Sequence, residues 1–242
     1  MFPRPTQNQL LATLPAADWQ ALNTLLEWVE LPRGMLLYEA GMVPRHVYFP
    51  TTAIVSLTST MQDGASAEIA VVGCEGVVGV CAYMGEGRSL SNAVVQGAGQ
   101  ALRLRAVDIR AASRHSAPLM QALLGYTQVL FAQMAQTSAC SRHHALDQQL
   151  CRWLLLHLDR LCGNELAVTQ ERIAQMLGVR REGVTVGALK LQKAGLIRYG
   201  RGRIAVLDRA GLEDRCCECY AVVKGAYDRL QQACSPPAAR AA

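Results

Sequence analysis

No stretch of this chain is long and apolar enough to cross a bilayer as a helix. Its start, MFPRPTQNQL, lacks the basic-then-apolar pattern of a secretory signal. The chain is therefore expected to be cytoplasmic, without a membrane partner, and its 9 Cys to be reduced thiols. Catalytic signatures are missing as well. No Ser/His/Asp set, Walker-type glycine loop or paired-carboxylate spacing stands out, so no enzyme is expected. A cysteine scaffold is lacking too. The one C-x-x-C, Cys216 to Cys219 around Cys217, has no second pair and no thioredoxin-like βαβ pattern before it. Charge is sparse, at 18% of residues against 51% apolar, which describes a chain that buries substantial cores. No fixed-period repeat is evident. At 242 residues, two domains are the natural expectation.

What charge there is sits in one place. Residues 1–141 carry 8 basic and 9 acidic side chains, residues 142–215 carry 13 and 8, and residues 216–242 carry 3 and 2. The whole excess of +5 therefore lies in the middle block. A basic block on an otherwise neutral chain points to a polyanionic partner.

Texture divides the chain further. Residues 8–31 show helical apolar spacing, interrupted near Pro15. Residues 34–99 hold 10 of the 20 Gly, punctuating short apolar runs such as HVYFPTTAIVSLTST, SAEIAVVG, EGVVGV and SNAVVQ. Short, evenly spaced strands of this kind predict a small sandwich or barrel, with Asp63-Gly64 as a hairpin turn. From Pro118 the period is helical again. Leu119, Leu123, Tyr126 and Leu130 form one stripe, and Met120, Leu124, Phe131 and Met134 form another. A helix apolar on two sides must be covered on two sides: its own domain can cover one stripe and a second copy of the chain the other, the alternative being a central helix buried within a monomer. The first stripe, extended to Met134, is taken as the dimerisation face. Residues 145–161 predict an amphipathic helix, and GLEDRCCECYAVVKGAYDRLQQAC a final one.

Between those helices lies TQERIAQMLGVRREGVTVGALKLQKAGLI. Thr169 is a suitable N-cap, Ile173, Met176 and Leu177 face inward, and Gly178 permits the left-handed turn that ends a short helix. A second helix starts near Arg180 with Val184, Ala188 and Leu191 inward. Helix, glycine turn and a second helix with a cationic N-terminal face is a helix-turn-helix, whose second helix enters the major groove of duplex DNA. Arg180 and Arg181 suit guanine, Glu182 suits cytosine N4, and Thr185 or Val186 suits a thymine methyl. Thr169, Gln170 and Lys193 complete that surface. GLIRYGRGRIAVLD then predicts a hairpin whose Arg198, Arg201 and Arg203 contact phosphates. Gly183 inside the second helix costs on the order of 1 kcal/mol.

VTQERIAQMLGVRREGVTVGALKLQKAGLIRYGRGRIAVLDRAGLE resembles the winged helix-turn-helix of the Crp/Fnr superfamily of bacterial transcription regulators. With the β-rich region and central helix before it, the resemblance runs from about residue 8 to 232. It implies an α+β fold with an N-terminal jelly roll like a cyclic-nucleotide-binding domain over residues 1–115. A dimerisation helix and hinge would follow over 116–143, then a winged helix-turn-helix with a C-terminal helix over 144–234, and a disordered tail over 235–242. It further implies a homodimer on a pseudo-palindromic operator, controlled by an allosteric shift near residues 137–144, with RNA polymerase as a partner. The family's recognition pattern R-E-x-V-x-R begins at Arg181-Glu182 and continues to Val184, but its last Arg falls on Val186. An operator different from the usual TGTGA-type half-site is expected, with Arg180 compensating.

The sensor half departs more. Nucleotide-binding members place a Glu after the cassette glycine. Here Gly79 matches the glycine and Val80 takes the Glu position, while Arg88 and Ser89 resemble the phosphate pair. A valine cannot accept the ribose hydroxyl bond, so cyclic AMP is not the expected effector, and none is named. Iron–sulfur members need cysteines near the N-terminus, whereas the first here is Cys74. Cys74, His46 and His115 are taken as core or surface residues, and no metal or resident cofactor is expected. Alternatives remain open: a thiol-redox or metal-responsive sensor using Cys216 and Cys219, control by cyclic AMP or cyclic di-GMP, or a constitutive regulator.

Overall fold

Asn8 ties the first turn of the chain to two loops at once. Its Oδ1 accepts from Leu11 N, capping helix α1 (Gln9–Ala12), while its Nδ2 donates to Pro50 O and Gly76 O, both at 2.9 Å. The computed structural model describes residues 7–85, 87–161 and 163–234. The tail expected over 235–242 lies outside them. Helix α2 (Ala16–Asn23) begins after Pro15, but residues 27–31 do not continue the helical pattern. They form strand β1 (Glu27–Leu31), because the antiparallel pairing of Glu27 with Arg103 through Leu31 with Gly99 outweighs local period.

Six more strands follow: β2 (Leu36–Tyr38), β3 (His46–Pro50), β4 (Ile54–Thr60), β5 (Ser66–Val72), β6 (Asn92–Gly97) and β7 (Gly99–Arg105). They build two antiparallel sheets, ordered β1-β7-β3 and β2-β6-β4-β5, the two-sheet arrangement of a jelly roll. Val47, Phe49, Ile54, Leu57, Val71, Leu102 and Leu104 are buried in its core. The β4–β5 turn closes as expected on Asp63-Gly64, with Asp63 Oδ1 accepting from Ala65 N at 2.9 Å. EGVVGV is not a strand. Only Val78 pairs, with Tyr48, and Val80–Ala82 winds into a single 3₁₀ turn. Helix α3 (Ala106–His115), which the apolar pattern did not announce, seats the buried Ile109.

Helix α4 (Ala117–His143) is capped by Ser116 and, at 1.5 Å per residue, is about 40 Å long. Its two apolar stripes part company. Leu119, Leu123, Tyr126 and Leu130 are at most 3% exposed within one protomer, and Met134 is half-buried against the same core. The protomer's own jelly roll and C-terminal helix already cover the stripe expected to dimerise, which leaves little of it open to a second copy. Gly76 shows how closely: a Cβ there would lie 2.1 Å from the Tyr126 ring. On the other side Leu124 and Phe131 are 50% and 54% exposed.

The C-terminal half comprises α5 (Leu146–Leu158), β8 (Glu165–Ala167), α6 (Gln170–Leu177), α7 (Arg181–Lys193), β9 (Ile197–Gly200), β10 (Arg203–Val206), α8 (Arg209–Arg215) and α9 (Cys219–Cys234). The three strands form one sheet, β8-β10-β9. The predicted final helix is thus two, broken at residues 216–218. Helix α9 packs chiefly along α4 rather than on the sheet beside α7. Tyr227 Oη accepts from Gln133 Nε2 at 3.2 Å, and Leu230 lies over Gly125.

The halves are joined by buried polar contacts. Arg160, two residues past α5, meets Glu75 of the jelly roll at 2.7 Å and stacks 5.1 Å from the Tyr227 ring centre. Arg172 of α6 donates to Gln96 Oε1 at 2.9 Å. His157 Nε2 faces Glu68 Oε2 at 3.5 Å, and Glu68 also accepts from Ser56. Among the described residues no helix is long and apolar enough to cross a membrane.

Candidate nucleic-acid interface

Local chemistry sets α6 and α7. Thr169 Oγ1 accepts from Arg172 N, opening α6. Gly178, at φ +65°, closes it, with Gly178 N bonded to Gln175 O and Val179 N to Ala174 O. That pair of bonds is a Schellman ending, which needs a left-handed residue where Gly178 stands. The chain re-enters a helix at Arg181, with Val184, Ala188 and Leu191 fully buried. Gly183, costly for an isolated helix, has a packing reason. A Cβ there would lie 2.7 Å from Leu146 Cδ2, and one at Gly187 would lie 3.3 Å from Leu150 Cδ2. Two glycines four apart let α7 approach α5 closely.

That outer face carries Arg180, Arg181 and Glu182 at the N-terminus, all exposed, then Val186 and Leu189, each about half exposed. Cations at a helix N-terminus oppose its dipole and weaken the isolated fold. The same placement adds two charges to backbone N–H groups aimed at an incoming anion. Glu182 supplies the favourable sign for the helix itself.

Other predicted contacts are placed differently. Thr185 is half-buried and donates to Gln170 Oε1 at 2.7 Å, and Gln170 N donates to Tyr199 Oη. These two side chains brace α6 against α7. Lys193 is exposed but twelve residues beyond Arg181, about 18 Å along the axis, so it does not share the Arg181 end of the face. In the hairpin, Arg201 and Gly202 both have positive φ, +49° and +73°, the signature of a two-residue type I′ turn. Arg201 is thereby displayed at the tip and Arg198 on the exposed side of β9. Arg203 is paired with Glu165 at 2.7 Å, so its charge is partly neutralised within the sheet.

In the jelly roll, Gly79 has φ +99° and Val80 begins the 3₁₀ turn. Arg88 donates to Gly41 O at 3.0 Å. Ser89 is buried, donates to Ser91 O at 2.7 Å and accepts from Ser91 N. The Tyr38 hydroxyl lies beside Ser89 and Cys81, and burial pushes it well above the usual phenol range. Arg88 and Ser89 thus both bond within the protein. Tyr83, whose hydroxyl burial likewise pushes up, bonds Thr127 Oγ1 at 3.0 Å and links the cassette to α4. A separate cavity of ≈ 210 Å³ lies between β5, α4, α5 and α6. Arg152 Nε and Trp153 Nε1, on residues that line it, are buried without hydrogen-bond partners.

Cys216 and Cys219 do not share a helix face. Cys216 caps α8, Cys219 opens α9, and the buried sulfurs near Cys219 belong to Cys217 and Cys140. The 219–140 contact was invisible in the sequence because the two are 79 residues apart.

Two family models match the chain: a cyclic nucleotide-binding domain over residues 28–116 and a Crp-like helix-turn-helix domain over residues 148–215. No curated protein sequence matches it. Among solved structures, one similar fold is a transcriptional regulator of the Crp/Fnr family from Eubacterium rectale. It has a TM-score of 0.67 at 18% identity, over 87% of this chain and 98% of that one. FixK2 from Bradyrhizobium japonicum gives 0.66 at 16% identity, over 79% and 98%. The c-di-GMP responsive regulator CLP from Xanthomonas campestris gives 0.62 at 14% identity, over 79% and 99%.

Proposed function

The chain belongs to the Crp/Fnr superfamily of transcription regulators, and from that premise we propose that it binds a pseudo-palindromic operator as a homodimer, under an effector other than cyclic AMP. The observation that carries the DNA reading is the outer N-terminal face of α7. Arg180, Arg181 and Glu182 stand exposed there at a positive helix terminus, above a buried face of Val184, Ala188 and Leu191. Arg181 donates to guanine, Glu182 accepts from cytosine, and Val186 packs on a thymine methyl. Arg198 and Arg201 of the hairpin hold the flanking phosphates. Thr185 and Gln170 act one step removed, by fixing the angle between α6 and α7.

Dimerisation uses the open side of α4. Leu124 and Phe131 are one heptad apart, with the exposed Ala135 one turn further on. Two copies packed in parallel along this stripe bury it in a coiled-coil-like seam. The two recognition helices then fall about one DNA turn apart, roughly 34 Å. His144 and Ala145, both extended, are the joint on which the DNA-binding unit swings. RNA polymerase is the further partner at promoters.

Against cyclic AMP stand three features: Val80 offers no acceptor, Arg88 is engaged with Gly41 O, and Ser89 is closed on Ser91. A cyclic di-GMP response, the property named for the Xanthomonas relative, is the second reading and is favoured only by likeness of fold. The test is selection of bound sequences from a random duplex pool, with and without each nucleotide. A palindrome enriched equally in all conditions is the expected result. Enrichment only with cyclic AMP would overturn the effector reading, and no enrichment under any condition, or the same palindrome enriched as strongly by Arg181→Ala as by the parent, would overturn the DNA reading.

A further inference from the structure

A ligand set for a soft cation assembles where α4 ends. His144, the C-cap residue of α4, donates its N–H to Cys140 O at 3.1 Å, which holds the two residues together at the end of the helix. Cys217 lies in the break between α8 and α9, and Cys219 opens α9. Their three sulfurs and one ring nitrogen all lie within 4.8 Å of one another. Two edges of this group are defined: Cys140 Sγ to Cys217 Sγ at 3.6 Å, and Cys219 Sγ to His144 Nδ1 at 3.5 Å. A tetrahedral ion with metal–sulfur bonds of about 2.3 Å and metal–nitrogen bonds of about 2.0–2.1 Å needs sulfur–sulfur edges of about 3.8 Å and sulfur–nitrogen edges of about 3.5 Å. Both edges fall close to those values.

The surroundings match as well. His144 Nε2 faces Glu218 Oε2 at 3.3 Å, so the carboxylate orients the ring and leaves Nδ1 as the inward nitrogen. Gln136 Nε2 donates to Cys219 Sγ at 3.1 Å. All three cysteines are at most 5% exposed, which shields the group from water. Ordinary buried cysteines scatter through an apolar core. Here three converge on one imidazole that has its own carboxylate partner.

We propose that Cys140, His144, Cys217 and Cys219 form a closed four-coordinate site for zinc or a similar thiophilic divalent cation. The bound ion staples the C-terminal end of α4 to the junction of α8 and α9. It therefore spans His144 and Ala145, the extended pair through which α4 passes to α5. A consequence, which rests on the DNA-binding reading above, is that the ion restricts the swing of the recognition helix, so that its removal changes operator affinity by roughly five-fold or more.

The test uses the full-length reduced protein. After equilibration with zinc and removal of excess, elemental analysis is expected to find one zinc per chain. Cobalt substitution is expected to give thiolate charge-transfer and tetrahedral d–d bands. Cys217→Ala and Cys140→Ala lose the ion, whereas Cys216→Ala keeps it, the reverse of what the C-x-x-C spacing alone would give. Thermal melts identify any variant that has failed to fold, and for such a variant the cobalt spectrum of the parent protein decides. Substoichiometric zinc, a cobalt spectrum without thiolate bands, or equal loss in Cys216→Ala and Cys217→Ala overturns the site. So does a Cys140–Cys217 disulfide that forms equally readily with zinc present. Operator binding is measured separately on zinc-loaded and chelated protein. Unchanged affinity overturns the regulatory role while the site stands, and failure to bind any operator counts against the DNA reading, leaving the spectra to judge the site.

Discussion

Glu75→Gln removes one charge from the pair that clamps the jelly roll to the DNA-binding half. The Glu75 and Arg160 side chains are 9% and 2% exposed and meet at 2.7 Å. Arg160 also donates to Leu156 O and lies against the Tyr227 ring, so its position is held from three sides. The amide preserves shape but leaves the guanidinium buried without a counter-charge. Unit charges about 4 Å apart in an effective dielectric near 20 attract by about 4 kcal/mol. Breaking one side of a buried pair typically costs about 3–5 kcal/mol. For a chain of this size that lowers Tm by roughly 6–20 °C. Replacing both partners, Glu75→Leu with Arg160→Met, removes the stranded charge and returns stability to within a kcal/mol or so of the parent. As a control, Glu27→Gln breaks the surface pair with Arg103, whose side chains are 61% and 35% exposed, and is expected to melt close to the parent because solvent screens the pair. Thermal and urea melts of the three variants supply the comparison. If Glu75→Gln melts with the parent, or the double variant is worse than the single one, the pair is not a buried clamp.

Glu substituted at both Leu124 and Phe131 is expected to give a folded monomer by light scattering, with operator affinity lost. The same change at Leu123 unfolds the protomer, because that side chain is fully buried. Arg181→Ala is expected to cost about 1–3 kcal/mol of operator binding and relax one base position, while Arg201→Ala weakens all sequences alike and lowers the salt slope by about 1. Arg203→Ala has a smaller effect than Arg201→Ala in the same binding titrations, since Glu165 already partners it. Burial pushes the Tyr227 phenol up to about 12 and raises Tyr126 as well, so the folded state keeps protons that the unfolded chain releases near pH 10. Stability from these groups is complete below pH 10 and is lost as pH rises toward 12. Phenolate absorbance is expected to rise together with unfolding, and a phenolate signal that precedes unfolding would contradict the burial argument.

The helix-turn-helix was legible because its determinants are local. Thr169 caps, Gly178 turns left-handed, and Val184, Ala188 and Leu191 recur at helical period within a few residues of one another. The Arg201-Gly202 turn and the Asp63-Gly64 hairpin are of the same kind. Period alone was no guide where two answers had the same pattern. Both stripes of α4 are apolar, and only docking of the jelly roll and α9 decided that Leu123 and Tyr126 go inward while Leu124 and Phe131 stay open. EGVVGV has strand composition, yet no neighbour remains for more than Val78 to pair with.

Composition and local period by themselves determined the order of β-rich region, long helix and helix-turn-helix, and the sign of the recognition surface. Tertiary structure alone decided which glycines are needed for close packing, as at Gly76 beneath Tyr126 and Gly183 beneath Leu146. It also brought Cys140 and His144 to Cys217 and Cys219. Those contacts join residues more than 70 positions apart, and they exist only because α9 folds back along α4, driven by burial of surface that neither segment reveals when read alone.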